Sequence, residues 1–186
     1  MRLFIAAKLP PGARSELAGV MEQIKGTLPA KYRWVKPANI HLTLNFLGEV
    51  SCGEAANIEA AFGAPLSIGG PIYLKSEGIG AFPSLARAQT LWVGLGGEVS
   101  RLAALQELTT KRLLKANISV EKRGFKPHLT LARAKGRGRP PDILDQAERF
   151  VGFYGPYFKL DEVILFESDL RPGGPIYTPR VRVNIV

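Results

Sequence analysis

The chain has 186 residues, 46% of them hydrophobic, enough for one sizeable core or two small lobes that share one. No stretch approaches the roughly 18 apolar residues of a membrane span, and the single cysteine, Cys52, excludes an intrachain disulfide and a cysteine-based metal centre. The net charge of +9 favours anionic partners.

The opening "MRLFIAAKLPPG" is too short in its apolar run for a signal peptide and predicts a first strand at residues 3–7, broken by the prolines after it. Ala13, Leu17, Val20, Met21 and Ile24 recur at helical spacing and predict a first amphipathic helix. Strands are expected at 32–35 and 41–46, a second helix around Ala55, Ile58 and Phe62, and further strands at 65–74 and 90–95. "GLGG" at 94–97 lacks the full dinucleotide-loop spacing and reads as a turn. A long helix carries Leu102, Leu105, Leu108 and Leu113, and Cys52 reads as a small surface or helix-start residue. A strand at 128–132, a helix at 143–150 and strands at 163–166 and 176–185 complete the chain. Strands and helices mix throughout, which argues an α/β or α+β fold.

The order of elements is roughly doubled, and so is one motif. "HLTL" occurs at His41–Leu42–Thr43–Leu44 and again at His128–Leu129–Thr130–Leu131, and these are the only two histidines of the chain. The chance that the same three residues follow both is about one in two thousand at ordinary Leu and Thr frequencies. On a strand, side chains alternate between faces. Leu42, Leu44 and Phe46 then share a core face, as do Leu129 and Leu131, while the imidazoles and hydroxyls share the other. A repeat of packing alone needs the leucines but not the histidines. Two lobes related by a pseudo-two-fold axis would set the two histidine strands side by side. A second echo, "GGPIY" at 69–73 and 173–177, has a different offset from the histidine motifs and carries little functional weight.

Two imidazoles can act as a base and an acid near neutral pH. Two threonine hydroxyls can hold the oxygens of a phosphate as charge develops on them. That set points to in-line displacement at phosphorus. Two histidines without a third ligand make a poor zinc site, and no Gly-x-Ser-x-Gly or Walker A loop is present. Between Glu121 and Arg139 lie seven positive residues, around His128, which suits an anionic partner.

The paired motifs and their flanks resemble the 2H phosphoesterase superfamily, and within it the RNA 2′,3′-cyclic phosphodiesterases, also called 2′-5′ RNA ligases. The similar stretches are "RWVKPANIHLTLNFLGEV", "FPS" followed by "LWVGL", "FKPHLTLAR" and "LFESDLRPGGPIYTP", spread over nearly the whole chain. The resemblance implies an α+β fold of two similar lobes with antiparallel sheets, intertwined in a single domain over residues 1–186, with the active-site cleft between them. It implies metal-independent hydrolysis of RNA 2′,3′-cyclic phosphate ends to 2′-phosphomonoesters, with no cofactor. His41 would be the proton donor and His128 the proton acceptor; the residues alone leave that order open. Thr43 and Thr130 would hold the phosphate, together with Arg133. On a regular strand Arg133 would face away from the cleft; a bulge near Ala132 would turn it back. Lys126, Arg137 and Arg139 are candidates for an RNA backbone, and Trp34 and Phe125 for base stacking, with burial in the core the favoured role for Trp34. The alternatives are 2′-5′ ligation at the same site and a non-catalytic RNA-binding module. A cytoplasmic monomer with RNA or nucleotides as its partner, and no membrane, is expected.

Overall fold

The computed structural model describes residues 1–28, 31–121, 124–136, 138–150 and 152–186. In chain order the elements are β1 (Arg2–Lys8), α1 (Pro11–Lys25), β2 (Tyr32–Trp34), a 3₁₀ turn (Pro37–Asn39), β3 (His41–Glu49), α2 (Cys52–Phe62), β4 (Ile72–Ser84), β5 (Arg87–Gly97), α3 (Val99–Lys115), β6 (Leu129–Ala134), α4 (Leu144–Glu148), β7 (Tyr154–Leu160), β8 (Glu162–Arg171) and β9 (Gly174–Asn184). Helix α1 starts on Pro11, where the missing N–H costs nothing. Helix α2 starts on a capping box in which Ser51 and Glu54 each satisfy the other's backbone N–H.

The strands form one antiparallel sheet in the order β7-β4-β5-β6-β3-β1-β8-β9, with β2 added beside β6. The order is palindromic about its middle: β6 answers β3, β5 answers β1, β4 answers β8 and β7 answers β9. This is an α+β fold of two similar halves, in agreement with the doubled order of elements in the sequence. The halves are interleaved, since β4 leaves the first half of the chain to pair with β5, and β8 returns from the second to pair with β1. They meet at one residue pair, Leu42 opposite Leu129. The main core lies on the helix side, where Leu3, Ile5, Leu42, Leu129 and Leu131 pack against Leu17, Ile58 and Leu105. On the opposite face of β1 and β8, Phe4, Ala6, Ile164 and Phe166 form a separate small cluster, which belongs to the cleft.

Two expectations are corrected and one strand is added. Residues 65–71 are not a strand; only Leu66 makes an isolated bridge, and β4 begins at Ile72. Two prolines and the positive-φ pair Gly69 and Gly70 break the run. Most carbonyls here are met by side chains: Arg101 donates to those of Ile68, Gly69, Gly70 and Pro71, and Arg112 to those of Ala64 and Pro65, while that of Leu66 accepts from the Val186 N–H. "GLGG" is no turn but the end of β5, where a Cβ on Gly94 would lie 2.7 Å from the Glu77 carbonyl oxygen. The strand β7 is not foreshadowed, because its outward Tyr154 and Tyr157 are 60% and 63% exposed and only Phe158 and Leu160 alternate into the core.

Candidate active site

The two HLTL motifs lie antiparallel at the centre of the sheet, with the Leu42–Leu129 pair at their meeting point. His41 opens β3 and His128 immediately precedes β6. In both, ring Nδ1 lies against the backbone carbonyl two residues earlier: Asn39 at 2.7 Å for His41, Lys126 at 2.6 Å for His128. A carbonyl can only accept, so Nδ1 donates and the neutral ring carries its lone pair on Nε2. Among the described residues neither Thr43 nor Thr130 has a protein partner for its hydroxyl, which leaves both free to meet a ligand.

Each imidazole is cradled by aromatic rings, and the cradles differ. His41 packs against Phe4 and Tyr177, with ring centroids 5.0 and 5.1 Å away. His128 packs edge-on against Phe82 at 4.9 Å and beside Trp92 at 6.1 Å. A Cβ on Gly80 would run into the Trp92 ring, so glycine there makes room for this wall. The proton affinity of both imidazoles is lowered, chiefly by burial, then by the positive charge of Arg133; the carbonyl bonds oppose this in part. His41 also feels the charge of His128.

Both strands are bulged at the same motif position. Opposite β1, Thr43 pairs with Ala6 and Asn45 with Ile5, so Leu44 has no partner. Opposite β5, Thr130 pairs with Trp92 and Ala132 with Leu91, so Leu131 has none. One extra residue reverses the facing of the side chains that directly follow it; in β3 a second bulge, at Leu47, restores the original facing from Gly48 on. Asn45 is thereby turned to the helix side, where its Nδ2 donates to Thr110 Oγ1 at 2.7 Å. Phe46, expected on the core face, is instead 45% exposed and lies beside Phe4, with centroids 6.4 Å apart. Arg133 is turned to the cleft, the second of the two possibilities its strand allowed. Its Nη1 donates to Thr90 Oγ1 at 3.2 Å, and its charge reaches His41, His128 and Tyr177.

The expected RNA-contacting residues are dispersed. Lys126 and Arg139 are exposed; Lys126 flanks His128 and supplies the carbonyl that anchors its ring. Arg137 lies outside the described residues. Trp34 packs against the main core and against a further buried cluster that includes Tyr32, Leu91, Ala132 and Ile143, with Lys25 of α1 5.5 Å from its ring, and so belongs to the helix side rather than the cleft. Phe125 is half-buried against the main core. Both rings supply apolar area to the core. The aromatic residues that do surround the histidines, Phe4, Phe82, Trp92 and Tyr177, have no distinguishing signal beyond lying in stretches that repeat or flank the motifs. Among the described residues no group of three or more His, Cys, Asp or Glu is placed to hold a metal ion. No helix among them is long and apolar enough to cross a membrane.

The profile of the "LigT like Phosphoesterase" family matches residues 8–92 and 95–177, one segment for each half of the chain. An Archaeoglobus fulgidus protein called RNA 2′,3′-cyclic phosphodiesterase is 31% identical over 179 residues, covering 95% of this chain and 96% of its own. A Methanocaldococcus jannaschii protein of the same name is 30% identical, covering 95% and 96%. Among solved structures, a Thermus thermophilus protein superposes with a TM-score of 0.76 at 30% identity, covering 100% of this chain and 98% of its own. Escherichia coli LigT bound to 3′-AMP superposes with a TM-score of 0.75 at 24% identity, covering 99% and 97%, and shares the fold.

Proposed function

We propose that this chain, which belongs to the LigT-like phosphoesterase family, hydrolyses RNA 2′,3′-cyclic phosphate ends to 2′-phosphomonoesters by proton transfer between His41 and His128. Its broader standing as a phosphoesterase of the RNA 2′,3′-cyclic phosphodiesterase type rests on the family and on relatives that match 95% of the chain. The finer reading rests on one observation before all others: two imidazoles, one from each half, anchored through Nδ1 in the same way beside the pair that joins the halves.

The chemistry derives from that anchoring. Neutral His128 has an unprotonated Nε2 and takes a proton from water as its oxygen bonds to phosphorus. The P–O3′ bond breaks on the opposite side. Protonated His41 gives the proton on Nε2 to O3′, and the 2′-phosphate remains on the ribose. Thr43 and Thr130 donate to the non-bridging oxygens, and Arg133 balances their charge. The assignment of acid and base follows the family resemblance. Burial makes His41 hard to protonate in the free protein; the bound phosphate anion restores its proton affinity, because an adjacent opposite charge favours the charged imidazole.

The test is product analysis. An oligonucleotide ending in a 2′,3′-cyclic phosphate is incubated with the protein in excess EDTA, and the product is resolved against both monophosphate isomers. The proposal expects a 2′-phosphate from the wild type and none from His41→Ala or His128→Ala. Turnover that survives both substitutions, or that stops in EDTA, contradicts it. Adding a 5′-hydroxyl oligonucleotide to the same reaction reads out ligation.

A further inference from the structure

Each histidine strand has a partner on its outer side, β1 for β3 and β5 for β6. The partners match residue by residue through Ala7, opposite Leu42, and Val93, opposite Leu129. One residue further on, level with the histidines, stand Lys8 and Gly94. The second half thus has no side chain at this position, where a Cβ would meet the Glu77 carbonyl oxygen. The first half carries a cation directly across the strand pair from His41. Alternation along β1 puts Lys8 on the cleft face with Phe4 and Ala6. Its exposed ammonium lies 5.4 Å from the centre of the Phe166 ring and makes no ion pair among the described residues. Lys8, Asn39, Phe4, Phe166 and Tyr177 border a recess beside His41. It opens on the β1 and β8 side of that imidazole, away from β6 and His128. The Asn39 amide gives one hydrogen to the Pro175 carbonyl at 2.9 Å, and its second has no protein partner among the described residues. A free ammonium and a spare amide hydrogen in one recess suit a phosphate oxygen.

We infer that this recess seats a second phosphate, the one on the 5′ carbon of the terminal nucleoside, held by Lys8 and Asn39. That phosphate is a diester in a strand and a monoester in a free nucleotide. The inference deepens the proposed hydrolysis and rests on it for direction. If His41 protonates O3′, the ribose lies on the His41 side of phosphorus, and its 5′ end leads away from His128 toward β1 and β8. Water arrives on the His128 side and brings no further anion, and there the matching position is a glycine. Lys8 acts in binding and not in proton transfer, because its ammonium is turned to Phe166. The site therefore favours ends that carry a 5′-phosphate over a nucleoside with a cyclic phosphate alone.

Binding of product-like ligands tests this without relying on turnover. Adenosine 2′-monophosphate, adenosine 2′,5′-bisphosphate and a dinucleotide ending in a 2′-phosphate are titrated by calorimetry into wild type, Lys8→Ala and Lys8→Arg. At low salt wild type should bind the bisphosphate about 10-fold more tightly than the monophosphate, the effect of one charge-assisted hydrogen bond. The advantage should shrink as salt is raised. Lys8→Ala should lose about that factor for the bisphosphate and not for the monophosphate, and Lys8→Arg should recover it. The dinucleotide carries the same phosphate as a diester. A gain for it that depends on Lys8 supports the seat and makes its source an RNA strand; a gain for the bisphosphate alone supports the seat and makes its source a free nucleotide. Equal binding of monophosphate and bisphosphate by wild type, no loss in Lys8→Ala, or a loss shared by the monophosphate overturns the inference. A gain that depends on Lys8 without cyclic phosphate hydrolysis would count against the hydrolytic reading and leave this seat standing. Hydrolysis with binding of all three ligands indifferent to Lys8 would do the reverse.

Discussion

The two halves of the cleft hold the same four groups in the same frames and surround them differently. On the first half His41 is set deep among Phe4 and Tyr177. On the second, His128 stands nearer solvent against Phe82 and Trp92, within reach of Arg133. On the proposed reading a symmetric scaffold supplies two proton carriers, and the asymmetry of their walls distinguishes them. On that reading the identical Nδ1 anchors serve a chemistry shared by both sides, and the unlike walls answer to a substrate that is not symmetric.

The largest expected effect comes from breaking either proton carrier. His41→Ala and His128→Ala should each lower kcat by about 10²- to 10⁴-fold, measured in steady-state hydrolysis of a nucleoside 2′,3′-cyclic phosphate. A large loss on one side alone would break the equivalence of the halves. Next is Arg133→Ala, expected to lower kcat/KM by about 10- to 100-fold, since a hydrogen bond to a charged group is at stake. The same variant sharpens the comparison by NMR. With only two histidines the ring resonances are readily assigned, and both titration midpoints should rise when the guanidinium is removed, because its charge depresses both. A rise in one only would place Arg133 in the service of one half. Thr43→Val and Thr130→Val should each cost about 10-fold in kcat/KM if each contributes one hydrogen bond to the phosphate.

The smallest effect is on stability. Both imidazoles are held below their ordinary proton affinity in the folded state. Below the unfolded value of about 6.5, the unfolded chain takes up protons that the folded chain resists, so folding weakens as pH falls through that value and is unaffected at higher pH. The melting temperature of wild type should therefore drop between pH 7.5 and 5.5, and His41→Gln should drop less. An equal drop in both would show that the burial of His41 is not a source of acid sensitivity.

Much of the molecule is legible in its residues, for identifiable reasons. The HLTL repeat marks the joint of the halves because alternation alone sorts its leucines from its imidazoles and hydroxyls. Helices α1 and α3 declare themselves through long apolar stripes. The positions after each motif are not legible, because a bulge at Leu44 or Leu131 leaves no trace in an alternating pattern yet reverses the side chains that directly follow it. That is why regular alternation puts Phe46 in the core and leaves two readings of Arg133. Residues 65–71 resemble a strand because the donors that satisfy their carbonyls, Arg101 and Arg112, come from α3, some 30 to 50 residues on. Trp34 and Phe125 are attractive as aromatic residues near the motifs, but proximity in sequence to a strand does not say which face of it a ring will take.

The most direct test of the central claim is the pH dependence of kcat/KM for wild type, His41→Ala and His128→Ala on one nucleoside 2′,3′-cyclic phosphate. The account predicts a bell for wild type. Residual activity should lose its alkaline limb in His41→Ala, which lacks the acid, and its acidic limb in His128→Ala, which lacks the base. Two variants with the same limb missing, or a bell that persists in either, would contradict the division of labour between the two halves.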